Sequence, residues 1–258
     1  MKFSIIVVCL NSGDKLLDTV DSVLKQNTTD YEILIKDGLS TDGSVERLPD
    51  DAHIRIVRKK DCSIYDAMNQ AVQEAKGAYF LFLNCGDLLY DAEVLSKVEK
   101  RLLETEADIL YGDMERRDVP GRITAPKEIT DSVCYRNIPC HQVCYYHRKL
   151  FAERGYDVAF PVRADYEHFL YCKYERNASF TYLPELVSLY EGGGFSETKE
   201  HEKKAAKEHK EITKKYLGSK AFRYRLLMIL TLQPLRKKLA GSKHFAGFYQ
   251  KMRGTLQK

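Results

Sequence analysis

Phe3–Leu10 is a nearly continuous apolar run with β-branched residues. A strand apolar at successive positions is buried on both faces, as in a parallel sheet. From Asp14 to Gln26 the period changes, and Leu16, Leu17, Val20, Val23 and Leu24 recur at helical spacing. The alternation continues with strands over Tyr31–Ile35, Ile54–Val57, Tyr79–Leu83 and Ile109–Tyr111. Helices are expected over Ile64–Lys76, closed by Gly77 in a C-cap position, and over Ala92–Glu104. Strand and helix in turn predict an α/β fold, a mostly parallel sheet flanked by helices.

Beyond this the pattern loosens. Arg116–Arg163 is interrupted by Pro120, Gly121, Pro126, Pro139 and Pro161, Tyr166–Tyr174 reads as a helix, and Leu186–Tyr190 reads as extended. Lys199–Lys215 is a highly charged helix. Phe222–Leu232 and Leu235–Met252 are basic amphipathic segments broken by Pro234. The expected organisation is an α/β domain over residues 1–198 and a charged, basic helical extension over 199–258.

Charge sharpens that division. The chain of 258 residues has a net charge of +4, yet residues 201–258 hold 16 Lys+Arg against 3 Asp+Glu. The first 200 residues therefore hold 25 Lys+Arg against 34 Asp+Glu. A basic tail on an acidic domain fits a polyanionic partner, an anionic membrane surface above all, or else a solvated or self-packed helix. No nucleic-acid-binding motif accompanies the charge. Seven Cys without a CxxC pair read as free thiols rather than a zinc site. The N-terminus opens in a strand pattern with no secretory leader, so a cytoplasmic protein is expected, with peripheral attachment to the inner face of the membrane as an option.

In open α/β sheets, ligands bind beyond the carboxyl ends of the strands. Here those ends run into Asn11, into Asp37 and Gly38, into Asn84 and Asp87, and into Gly112 and Asp113. Such an acidic rim repels itself unless a cation bridging phosphates compensates it. The same residue types are also ordinary turn formers. A nicotinamide-dependent oxidoreductase is excluded, because no GxGxxG follows the first strand.

The order SIIVVCLN, IKDGLSTDGS and SIYDAMNQAVQEAKGAYFLFLNCGD resembles family 2 glycosyltransferases of the GT-A fold, and among them bacterial enzymes of surface-polysaccharide and O-antigen assembly. The resemblance covers roughly residues 2–196 and implies a Rossmann-like sheet. By it, Asn11, Asp37 and Gly38 belong to the nucleotide pocket. Asp37 would accept a hydrogen bond from the base, uracil first among them, since a carboxylate only accepts. Asp66 and Asn69 share a helix face near the donor, although Ser63 with Asp66 also fits a capping box. Asn84 and Asp87 occupy the metal motif, where Asp87 would hold Mn²⁺ or Mg²⁺, and Asn84 and Gly86 depart from its acid-rich form. Gly193 and Gly194 would approach the diphosphate. Asp113, His141 and Gln142 fall on the acceptor side, with a structural histidine as the alternative for His141. Asp165 matches the base that deprotonates the acceptor hydroxyl in an inverting transfer, and Glu167 is its rival. The implied reaction moves a sugar, a hexose or N-acetylhexosamine, from a nucleotide-sugar, UDP-linked by preference, to a surface-glycan or lipid-linked acceptor. The alternative is a non-catalytic nucleotide-sugar-binding module or scaffold of a glycan assembly complex.

Overall fold

The computed structural model describes residues 1–118, 121–192 and 198–230. β1 (Phe3–Cys9), β2 (Tyr31–Asp37), β3 (Ile54–Arg58) and β4 (Tyr79–Asn84) pair in parallel in the order β3-β2-β1-β4. Every residue of β1 and β2 is buried, as helices on both faces require. α1 (Asp14–Leu24) contributes the stripe Leu16, Thr19, Val20 and Val23. α2 (Ile64–Glu74) buries Tyr65, Met68 and Val72, and α3 (Val94–Thr105) buries Val94, Leu95, Val98 and Leu102. The sheet continues from β4 through β8 (Cys144–His147), β6 (Ile109–Arg116), β9 (Phe180–Tyr190) and β5 (Leu88–Leu89), with β7 (Arg122–Ile123) paired to β6. β8 and β5 run antiparallel to their neighbours. The mostly parallel sheet flanked by helices is thus as expected.

Two readings of the sequence need correction. β6 extends to Arg116, so Gly112 and Asp113 lie inside the strand and not beyond its end. Asp113 is fully buried, and its carboxylate accepts from Arg122 Nε at 2.6 Å, the Ala125 amide at 2.8 Å and the Tyr182 hydroxyl at 2.9 Å. A register shift between β6 and β9 at Asp113 accommodates this cluster. Its acid is engaged in stitching the sheet to Arg122, Ala125 and Tyr182. Gly77 is not the C-cap of α2, which is Ala75. It is needed for a close approach: a Cβ there would stand 2.4 Å from the Ser4 amide nitrogen.

α4 (Asp131–Arg136) and α5 (Ala164–Tyr174) follow in the second half. α5 is buried almost all round, and burial pushes the His168 imidazole down to about 3, leaving it a neutral core side chain stacked 4.2 Å from Phe151. The chain divides into two compact units, Met1–Ile212 and Thr213–Lys258, so the boundary falls within α6 (Lys199–Leu217), further along than residue 198. Within the first unit, α6 sends Glu208 to accept the backbone amides of Val162 (3.1 Å) and Arg163 (2.9 Å). These amides precede α5, whose N-cap has no side-chain partner of its own. Glu208 thus fixes from a distance the backbone that enters α5. In the second unit, α7 (Ser219–Leu230) has no buried residue and exposes Phe222, Leu226, Ile229 and Leu230. Leu235–Met252, Gly193 and Gly194 lie outside the described residues. No described helix is long and apolar enough to cross a membrane.

Candidate active site

The loops after β1 and β2 are tied to each other. Asn11, at a left-handed φ of 50°, accepts the Thr41 amide at 2.8 Å and donates its own amide to Ser40 Oγ at 2.9 Å. Asp42 accepts the Gly13 amide at 2.8 Å. Asp37, fully buried at the end of β2, accepts from the Ser40 amide (2.9 Å) and hydroxyl (2.6 Å) through Oδ1. Its Oδ2 accepts no hydrogen bond, though Arg58 Nε lies 3.1 Å away as an ion pair. Gly38 follows with its amide on the Cys9 carbonyl at 2.9 Å. Below them the buried Lys36 ammonium reaches Asp61 Oδ2 at 2.8 Å and the Lys59 carbonyl at 2.6 Å, anchoring the next loop.

The turn after β4 carries Asn84 and Asp87. Asp87 is 2% exposed, and burial pushes its carboxyl above the usual carboxylate range. It accepts from the Glu191 amide at 3.0 Å and from Gln142 Nε2 at 3.1 Å. Asn84 Nδ2 lies 3.3 Å from His141 Nε2, while its Oδ1 is buried without a hydrogen bond.

Asp165 opens α5. His141 Nδ1 stands 3.0 Å from its Oδ2, and the Tyr65 hydroxyl (2.9 Å) and the Tyr166 amide (2.8 Å) donate to Oδ1. Burial raises the carboxyl, but the His141 and Tyr65 contacts outweigh it and leave Asp165 below the usual range. Its side chain is 22% exposed, on a pocket of about 220 Å³ lined also by Ile138, Pro139, Cys140, Val162 and Arg163. A larger hollow of about 370 Å³ beside α1 holds none of the expected site residues. Asp87 and Asp165 therefore flank one short turn, His141–Val143, whose first residue touches Asp165 and whose second touches Asp87.

The family model of glycosyl transferase family 2 matches this chain over residues 4–165. The chain belongs to that family. A mycobacterial relative, the PGL/p-HBAD biosynthesis glycosyltransferase of Mycobacterium bovis, is 34% identical over 204 residues, which are 76% of this chain and 79% of the relative. Among solved structures, a TarS fragment from S. aureus in complex with UDP superposes with a TM-score of 0.65 at 20% identity, covering 74% of this chain and 61% of that one. The mannosyltransferase PcManGT from Pyrobaculum calidifontis, solved with GDP-Man and Mn²⁺, gives 0.64 at 15% identity, covering 96% and 83%. At these identities the structures speak for the fold.

Other expected residues make structural contacts. Asn69 is a brace: its amide group donates to the Tyr156 carbonyl at 2.8 Å and accepts the Tyr156 amide at 2.7 Å, which ties α2 to the loop before α5. Asp66 makes half of the capping box, its amide on Ser63 Oγ at 3.2 Å, while its carboxylate accepts from the Cys62 amide at 2.8 Å, one residue before the N-cap. Glu167, the rival of Asp165, is fully buried and held by both guanidinium nitrogens of Arg154 at 2.9 and 3.0 Å. Tyr65 was not foreseen; it sits beside Asp66 in sequence, but its partner Asp165 is 100 positions away and no local pattern marks the contact.

Among the described residues no three His, Cys, Asp or Glu side chains gather into a cation cage. The donors at the Asn84–Asp87 turn are nonetheless hard oxygens, one of them without a hydrogen bond. They fit a divalent cation that takes few protein ligands and completes its shell with water and phosphate.

Proposed function

We propose that this family 2 glycosyltransferase moves a sugar, with inversion, from a nucleotide-sugar to a hydroxyl of a surface-glycan or lipid-linked acceptor. The observation that carries the reading is the turn His141–Val143, which brings Asp165 and Asp87 to its two sides. Asp165 takes the proton of the acceptor hydroxyl, and the His141 and Tyr65 contacts keep it ionised for that purpose. A bound Mn²⁺ or Mg²⁺ supplies positive charge to the departing nucleoside diphosphate; Asp87 and Asn84 Oδ1 are the groups that would hold it. Asp37 Oδ2, the oxygen left without a hydrogen bond, is the acceptor for a base N–H. The UDP complex of TarS supports a UDP-sugar donor, and the Mn²⁺ of PcManGT supports the cation. The mycobacterial relative, named as a biosynthesis glycosyltransferase, supports transfer in a biosynthetic assembly. The basic extension completes the reading as a contact with an anionic membrane, supported by exposed Phe222 and Leu226 beside Arg223 and Arg225.

The test is a thermal-shift screen of UDP-, GDP- and dTDP-sugars with and without Mn²⁺. A UDP-sugar with Mn²⁺ should raise Tm beyond either alone; at a hundredfold excess over Kd the stabilisation is about 2.7 kcal/mol. A protein whose Tm no nucleotide-sugar moves does not carry this function. Tyr65→Phe adds a check on the base. Removing a donor to the carboxylate raises the pKa of Asp165, and the base works only when ionised. The acid limb of the rate–pH profile should therefore move to higher pH, and an unshifted limb would remove Tyr65 from the machinery.

A further inference from the structure

Glu191, the last residue before the glycine run, was not among the expected site residues. Its backbone amide donates to Asp87 Oδ1 at 3.0 Å, so the end of β9 is clamped onto the cation turn. Its carboxylate lies over Gly86. A Cβ built on Gly86 would stand 2.4 Å from Glu191 Oε2. Gly86 has a φ of +99°, a conformation L side chains rarely adopt. The space where residue 86 would project a side chain is thus taken by the acid of residue 191.

Two further observations bear on that acid and its turn. Asn84 Oδ1, on the same turn, is a buried oxygen that accepts no hydrogen bond. Glu191 Oε2 meets the ammonium of Lys15 at 2.8 Å, and that lysine side chain is 57% exposed. A half-exposed ammonium balances the carboxylate without being locked to it, since such pairs are weak in water.

We infer that Glu191 supplies, from the end of β9, the carboxylate that the Asn84–Asp87 turn lacks, so that the divalent cation is held by Asp87, Asn84 Oδ1 and Glu191. This rests on the nucleotide-sugar reading above. Lys15 neutralises Glu191 before the cation arrives and is then released to face the phosphate oxygens. The φ of +99° favours glycine at position 86, and the absence of a Cβ leaves that space to the incoming acid.

The experiment is a titration of the full chain with Mn²⁺ in the presence of UDP, read by the paramagnetic resonance signal of free Mn²⁺. Glu191→Gln keeps the shape and removes the charge. It should weaken Mn²⁺ binding at least tenfold while leaving Tm and the affinity for UDP without Mn²⁺ unchanged. Lys15→Met should keep the wild-type Mn²⁺ affinity or improve it. A loss smaller than tenfold in Glu191→Gln, or an equal loss in Lys15→Met, overturns the assignment. Should the wild-type chain itself take up no Mn²⁺ beside UDP, the nucleotide-sugar reading falls with it; uptake that is equal in wild type and Glu191→Gln sinks only the role of Glu191.

Discussion

Asp165→Asn should lower the rate of sugar transfer by about 10²- to 10⁴-fold, the range that a positioned general base contributes. The substitution keeps the shape of the side chain. Its remaining oxygen still accepts from the Tyr65 hydroxyl and the Tyr166 amide, which approach at 2.9 and 2.8 Å in the wild type. The segment leading into α5 is held independently by Glu208 through the amides of Val162 and Arg163. Folding and donor affinity should therefore survive while turnover collapses. The measurements are kcat on an acceptor extract and donor Kd by calorimetry. Transfer at the wild-type rate would show that another group accepts the proton. Unchanged donor binding with no wild-type turnover on any acceptor would instead favour a binding module.

Arg154→Ala should produce the opposite pattern, a large loss of stability with the chemistry intact. Glu167 has no exposure, and Arg154 satisfies both of its oxygens. Arg154 also lies 3.8 Å over the Tyr171 ring, so its removal strips a cation–π contact as well. Taking away one partner of a buried pair leaves an uncompensated charge and costs about 3–5 kcal/mol. For a domain of this size, each kcal/mol lowers Tm by roughly 2–4 °C. Thermal unfolding should accordingly shift down by roughly 6–20 °C, and transfer below that temperature should persist. A variant with normal Tm and abolished transfer would move Glu167 into the reaction and unsettle the choice of Asp165.

The pair of acids illustrates where sequence reading stops. Asp165 and Glu167 are two positions apart at the start of one helix, and composition alone does not separate them. They part because α5 is buried nearly all round, so the two side chains meet different surroundings: a histidine, a tyrosine and a pocket for one, an arginine fork for the other. Gly77 shows the same limit on the backbone. Its place after a helical run read as a cap, whereas the requirement came from Ser4, far away in sequence.

What the sequence determined by itself is what local physics records. Continuous apolar runs marked β1 and β2, because a strand covered on both faces has no polar side to show. The period of α1, and the order of motifs from Asn11 to Asp87, were equally local and pointed to family 2. Tertiary structure decided how the acids are used. Asp113 was drawn into β6 by Arg122 and Tyr182, Asn69 was spent on Tyr156, and Glu191 was brought over Gly86 from the far end of β9. A carboxylate's role depends on which donors, cations and solvent surround it. Those neighbours are set by chain crossings between distant segments, which hydrophobic periodicity does not encode.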